Sequence, residues 1–279
     1  MATRGVGSVW APEWSEHRDP VSGARILQLT DHYCHSRAFY FTEPGWYAGG
    51  KKLAFLSQRE NRTNLFGIDL ASGEITQLTD LDPADGEMGN KHSMNPLKDE
   101  LYFYLGDSLL ALDLETLDLR TIHERPHGYV YGGTNVTADG KYVVTYHVQD
   151  LSDRFLVDLL HGYVGFREIW EARPHSMILR IATDGSGTEV IHEENYFLGH
   201  VNASPALADT ITFCHEGPWN LVDHRIWGLN INSRKAWAIR PQQPGETVGH
   251  EYWMIDGEHI GYHGRTPGGP IYGAIRYDN

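Results

Sequence analysis

The stretch Asn64-Leu65-Phe66-Gly67-Ile68-Asp69-Leu70-Ala71-Ser72-Gly73-Glu74-Ile75-Thr76-Gln77-Leu78-Thr79 decides the fold class. A short apolar run ends at an aspartate, a tight polar turn carrying Ser-Gly follows, and a second short run leaves the turn. That is the pattern of a β-hairpin. It returns from Ser108 to Ile122, from Ser176 to Ile191 and from Arg225 to Ile239, and it begins again over Pro270–Asn279. Further strands precede the copies, as in Gly49–Leu56 and Asp139–Tyr146.

Four strands per unit, at roughly 45–50 residues, is the signature of a β-propeller blade. A blade buries its faces only by stacking on its neighbours. The sequence therefore predicts an all-β protein, a single β-propeller domain over residues 1–279, with five to six blades' worth of chain. A five-blade ring is the alternative count. An irregular β-sandwich is the alternative fold, but it has no reason to repeat one hairpin five times. Asp19–Thr30 matches only the last strand of the repeat and is expected to complete the final blade. The chain stops at Asp278-Asn279, where the turn of the fifth hairpin is due, so the sequence reads as ending inside a blade. Between Asp150 and Pro174 the rhythm breaks. Phe155, Leu156, Leu159, Leu160 and Tyr163 recur at three- and four-residue spacing, which predicts an amphipathic helix over one mouth of the channel.

Composition narrows the function. A net charge of −14 argues against nucleic acid and against an anionic membrane surface, though local cations can still hold an anionic small molecule. No run approaches the ~18–20 apolar residues of a membrane span. No secretory leader is evident, and the two cysteines, Cys34 and Cys214, suit a reducing, cytoplasmic setting. The sixteen histidines are many for this length and direct attention to imidazole chemistry.

Those histidines fall at matching places. The innermost strand of each propeller blade lines the central channel, so equivalent positions converge. Aligning strand starts sets Cys34-His35-Ser36-Arg37, Lys91-His92-Ser93, Gly132-Gly133-Thr134, Gly199-His200-Val201 and Gly249-His250-Glu251 side by side. The alignment predicts a ring of His35, His92, His200 and His250. Converging imidazoles ligate divalent zinc or manganese, or act as base and electrostatic donors. The sequence does not choose between these. It carries no Walker loop, dinucleotide fingerprint, His-Glu-x-x-His or Gly-x-Ser-x-Gly. Glu216 and Glu251 sit beside histidines without the pairing that glycoside hydrolysis needs.

The run His215-Glu216-Gly217-Pro218-Trp219-Asn220-Leu221-Val222-Asp223-His224-Arg225, followed by Gly249-His250-Glu251-Tyr252-Trp253, is the most specific feature. With Cys34-His35, Gly199-His200 and Cys214 it resembles the oligogalacturonate lyases, propeller-fold enzymes of pectin degradation, over nearly the whole chain. The resemblance implies a seven-bladed family fold and β-elimination of short oligogalacturonides. It makes His250 the base that removes the C5 proton and Arg225 the cation that neutralises the uronate carboxylate. His200, His215, His35, Arg37 and Trp253 become the candidate substrate-binding residues. The family also binds Mn²⁺ through a later histidine, a glutamine and two histidines near its C-terminus, and no position here matches those ligands. Two other readings stand beside the lyase: a non-catalytic propeller module binding a uronate oligosaccharide or a protein, and a metal-dependent hydrolase using the histidine ring. An incomplete ring would leave strand edges open, which predicts self-association.

Overall fold

The structure, a computed structural model, describes residues 5–159 and 161–279. The chain divides into two compact units, Met1–Met94 with Asp99–Arg120 and Asn95–Lys98 with Thr121–Asn279.

The first unit opens with β1 (Val9–Trp10) and a hairpin, β2 (Ser15–Arg18) and β3 (Arg25–Gln28). Then come β4 (Ser36–Arg37), β5 (Trp46–Tyr47), β6 (Lys52–Ser57), β7 (Asn64–Asp69) and β8 (Ile75–Gln77). β4, β6, β7, β8 and β1 lie in that order in one sheet, with β5 also on β6. The deciding stretch is the β7–β8 hairpin, and its turn is fixed by one side chain. Asp69 Oδ1 accepts from the backbone N–H groups of Ala71 and Ser72, both at 2.9 Å. Gly73 then takes a left-handed φ of 78°. A second sheet follows as β9 (Met88–Met94), β10 (Glu100–Leu105), β11 (Ser108–Asp113) and β12 (Leu119–Glu124). Asp113 repeats the device, accepting from Glu115 and Thr116, and Leu117 takes the left-handed place. Ala54, Leu56, Leu65, Leu101, Phe103 and Leu112 form a buried cluster between these sheets.

The second unit holds β13 (Tyr129–Val136), β14 (Tyr142–Gln149), the helix α1 (Phe166–Ala172), β15 (His175–Ala182) and β16 (Thr188–Asn195). Next are β17 (Leu198–Ala203), β18 (Thr210–His215), β19 (His224–Asn230) and β20 (Ala236–Pro241), then β21 (Thr247–Trp253), β22 (His259–Thr266) and β23 (Gly269–Arg276). They make two four-stranded antiparallel meanders and one three-stranded sheet. Asn230 caps the β19–β20 turn through Asn232 and Ser233, with Arg234 left-handed, so the predicted repeat is one turn chemistry used again. Val144, Ile178, Val201, Phe213 and Leu229 pack the first two of these sheets together, and Ile226, Ile239, Val248 and Ile260 the last two.

Three expectations need correction. β3 pairs with β2 alone, so Asp19–Thr30 forms half of a hairpin and not a lone closing strand. The insertion is not helical over 155–163. Tyr163, Gly162 and Gly165 have φ of 57°, 92° and 76°, which no helix accommodates, and the single α-helix among the described residues starts after them at Phe166. Leu156 and Tyr163 are exposed, Phe155 and Leu159 pack partly against Val148, Ile169 and Phe197, and Leu160 lies outside the described residues.

The third correction concerns the ring. In β13, β17 and β21 the ladder to the next strand skips two residues, Gly132-Gly133, His200-Val201 and His250-Glu251. These are β-bulges, which re-aim side chains. In β9 the break lies between Met88 and His92, so residues 89–91 leave the ladder and His92 is back in it, opposite Phe103. His92 therefore does not occupy the position of His200 and His250. Its ring is fully buried, stacked 4.8 Å from Phe39 and 5.9 Å from Phe103. Burial, with a smaller contribution from Arg37, takes its pKa down to about 3. It is a neutral core residue, not a ring ligand.

Candidate active site

The β17 and β21 bulges place His200 and His250, both with left-handed φ, 48° and 49°. That region costs a non-glycine residue about 1–3 kcal/mol and persists where the surroundings over-determine it, commonly at functional sites. Gly199 precedes one bulge. A Cβ there would stand 3.2 Å from Cys214 Sγ and 3.3 Å from Glu216 Oε2. A Cβ at Gly249, before the other, would stand 2.8 Å from Trp219 Cζ2. The Gly-His pattern is thus a packing requirement as well as a repeat.

Behind the two histidines lies a charge cluster. The Arg225 side chain is 3% exposed. Its Nη1 donates to Glu216 Oε1 at 2.7 Å, Nη2 to Glu216 Oε2 at 3.3 Å and Nε to Glu251 Oε2 at 3.0 Å. His200 Nε2 lies 3.2 Å from Glu216 Oε2. Burial alone would push the Glu216 carboxyl up, but the Arg225 guanidinium and the His200 ring hold it well below the usual carboxylate range. The same opposition, with Arg225 the strongest lowering influence, keeps Glu251 low. Burial works against the Arg225 charge, yet Cys214, Glu251 and Glu216 hold its pKa well above the ordinary value. One guanidinium between two carboxylates leaves no Arg225 nitrogen unpaired, while Glu251 Oε1 stays buried without a hydrogen-bond partner among the described residues.

His250 is exposed at the front of this cluster. Its Nδ1 makes a short hydrogen bond to His263 Nε2, and the rings stack with centroids 4.8 Å apart. The Trp219 indole presents an edge-on contact to both, at 5.7 and 5.8 Å. Partial burial, then the charges of His263, His200 and Arg225, lower the His250 pKa against the opposing pull of Glu251. The imidazole is therefore in its neutral, proton-accepting form at neutral pH.

The other expected residues separate by position. His215 is stacked 3.9 Å from Tyr196, and its Nε2 lies 3.0 Å from Glu194 Oε1. Glu194 also meets His192, and those two histidines take its pKa down to about 2 although burial works the other way. Trp253 turns its indole N–H to the Asn202 carbonyl at 3.0 Å, tying β21 to β17. His35 and Arg37 belong to the first unit and line a cavity of about 390 Å³ with Ser57, Gln58 and Thr63. His263, Glu194, Tyr196 and Trp170 are the contributors that the sequence did not single out. His263 could have been found from the β21–β22 register, because it sits opposite Gly249.

Ligand atoms of His200, Cys214 and Glu216 lie within 4.8 Å of one another, the arrangement of a metal site. The donor set does not fit manganese. Both Glu216 oxygens already face the Arg225 guanidinium, and a thiolate is a soft ligand for an ion that prefers oxygen.

A profile of the oligogalacturonate lyase family matches residues 8–269. The oligogalacturonide lyase of Pectobacterium atrosepticum and the oligogalacturonate lyase of Dickeya dadantii are each 30% identical over 250 residues, covering 88% of this chain and 62% of theirs. The chain thus spans under two thirds of the length of these curated relatives. A solved oligogalacturonate lyase in complex with manganese superposes with a TM-score of 0.87 at 25% identity, over 97% of this chain and 71% of that one. An oligogalacturonate lyase from Vibrio parahaemolyticus superposes at 0.88 with 23% identity, over 98% and 71%. The sheets described above are blades of that all-β propeller fold. Among the described residues no helix is long and apolar enough to cross a membrane.

Proposed function

Because the chain belongs to the oligogalacturonate lyase family, we propose that it cleaves short oligogalacturonides by β-elimination, with His250 as the base. The observation that carries the reading is the exposed His250 imidazole, oriented by His263 and kept neutral beside the buried Arg225 cluster. His250 accepts the C5 proton. The C5–H electron pair becomes the C4=C5 double bond, the C4–O bond breaks, and the glycosidic oxygen leaves and is protonated. The sugar carboxylate gathers negative charge as C5 loses its proton, so nearby positive charge lowers the barrier. Arg225 lies behind His250 as one of the charges that lower its pKa and keep the imidazole ready to accept the proton.

The test is incubation with digalacturonate and trigalacturonate, with and without Mn²⁺, read by mass spectrometry. Digalacturonate should yield galacturonate and a second product lighter by one water. Two galacturonates would mean hydrolysis. Saturable binding by folded protein without product would mean a uronate-binding module.

A further inference from the structure

We propose that Arg173 receives a uronate carboxylate of the bound oligosaccharide, an inference that rests on the lyase reading. An oligogalacturonide carries one carboxylate per sugar, and this chain has a net charge of −14. Desolvating such a ligand requires cations already in place. Arg225 does not meet that need directly. Its Nε, Nη1 and Nη2 are engaged by Glu251 and Glu216, and the trio keeps one net negative charge.

Arg173 has the complementary properties. It is exposed, and among the described residues its guanidinium has no ion pair or hydrogen bond. It is nevertheless held. Its Cζ lies 4.8 Å from the Trp170 ring centre and 4.3 Å from that of Tyr196, and Trp170 Nε1 donates to Tyr196 Oη at 3.0 Å. Two aromatic faces stabilise the cation and remove rotamer freedom before a ligand arrives, which lowers the entropy cost of binding.

The backbone adds an independent sign. Arg173 caps α1 with φ 51°, and Pro174 follows. A residue before proline prefers extended backbone, so a left-handed arginine here is strained. The side chain lies back over Trp170 and Tyr196. These rings belong to the wall of the site. A Cβ on Gly217 would lie 2.3 Å from Trp170 Cδ1, and the Gly217 N–H donates to Glu216 Oε1. Tyr196 also stacks on His215. Arg173 is thus a positioned cation on the surface that the Glu216–Arg225 pair backs.

Calorimetric titration with digalacturonate and with its methyl ester tests the assignment, on the full chain and on Arg173→Gln and Arg173→Lys. Wild type should bind the acid more tightly than the ester. Arg173→Gln should weaken the acid about 10–100-fold, as expected for losing a charged hydrogen-bonded pair, and leave ester binding unchanged. Arg173→Lys should restore only part, because an ammonium lacks the planar fork. In turnover, KM should rise more than kcat falls. Unchanged acid binding in Arg173→Gln overturns the assignment, as does an equal loss for acid and ester, which would mark a structural role. Wild-type protein that binds neither ligand overturns the lyase reading and the assignment together.

Discussion

β17 and β21 use one backbone device in two surroundings. Each has a glycine, then a left-handed histidine that leaves the ladder, then a residue pointing into the interior. In β17 the interior residue is Val201, part of an apolar cluster, and His200 faces the Glu216 carboxylate at 3.2 Å. In β21 it is Glu251, which grips Arg225, and His250 faces a second imidazole. The bulge sets where a histidine sits, and the group across from it sets what the histidine can do. An imidazole against a carboxylate is taken up as that carboxylate's partner. An imidazole against another imidazole, with a guanidinium behind, is kept neutral and ready to accept a proton.

The largest test of this contrast is a paired substitution. His250→Ala should lower kcat on digalacturonate about 10²–10⁴-fold, the usual contribution of a positioned general base. His200→Ala should cost about tenfold or less, because Glu216 keeps its bidentate contact with Arg225 and His250 keeps its hydrogen bond to His263. Equal losses from the two variants, measured as initial rates of unsaturated product, would erase the distinction between the bulges.

The second test acts on the cluster that both bulges share. Arg225→Met leaves Glu216 and Glu251 buried without their cation, and breaking a buried pair in this way costs about 3–5 kcal/mol. Urea unfolding at pH 7 should show the loss, and Arg225→Lys should recover only part of it. The pH dependence has a definite sign. In the native protein Arg225 holds both carboxyls low, so their stabilisation is present above the ordinary glutamate range and is lost as pH falls through the lowered values. In Arg225→Met, burial unopposed by the guanidinium raises them. Acidification then protonates them in the folded state, and the gap between variant and wild type should narrow as pH falls from 7. A gap independent of pH would mean that Arg225 matters for packing alone.

Much of this was legible in the sequence, for identifiable reasons. The hairpins were readable because their turns rest on single side chains, Asp69, Asp113 and Asn230, at a fixed place in the repeat. His250, His200 and Arg225 stood out because the Gly-His pairs and the run from His215 to Arg225 are contiguous. The alignment failed at His92 because sequence does not say which residues leave the ladder, and in β9 the bulge falls earlier. The helix over 155–163 failed because apolar spacing says nothing about the left-handed turns at Gly162, Tyr163 and Gly165. The Arg225 bond to Glu251 joins positions 26 residues apart across two sheets, and only packing reveals it.

The smallest expected effect isolates what the second imidazole contributes. His263 lies against His250 both as a hydrogen-bond partner and as a stacked ring, so one substitution cannot separate orientation from charge. Two can. His263→Phe keeps the stacking area and removes both the partner nitrogen and the charge. His263→Gln keeps a neutral hydrogen-bonding group and removes the charge together with the stacked ring. Partial burial and then the His263 charge are the leading influences that lower the His250 pKa. Loss of that charge in either variant should raise it. A base must be unprotonated to act, so a raised pKa moves the acid limb of kcat/KM to higher pH in both. The plateau rate should fall less than about tenfold in His263→Phe, because a misoriented base retains most of its basicity, and should be nearly retained in His263→Gln. A common limb shift with different plateaus would assign the field to the His263 ring and the aim to the hydrogen bond. A limb that stays in place in both variants would remove His263 from the contrast and leave burial and Arg225 to keep His250 neutral.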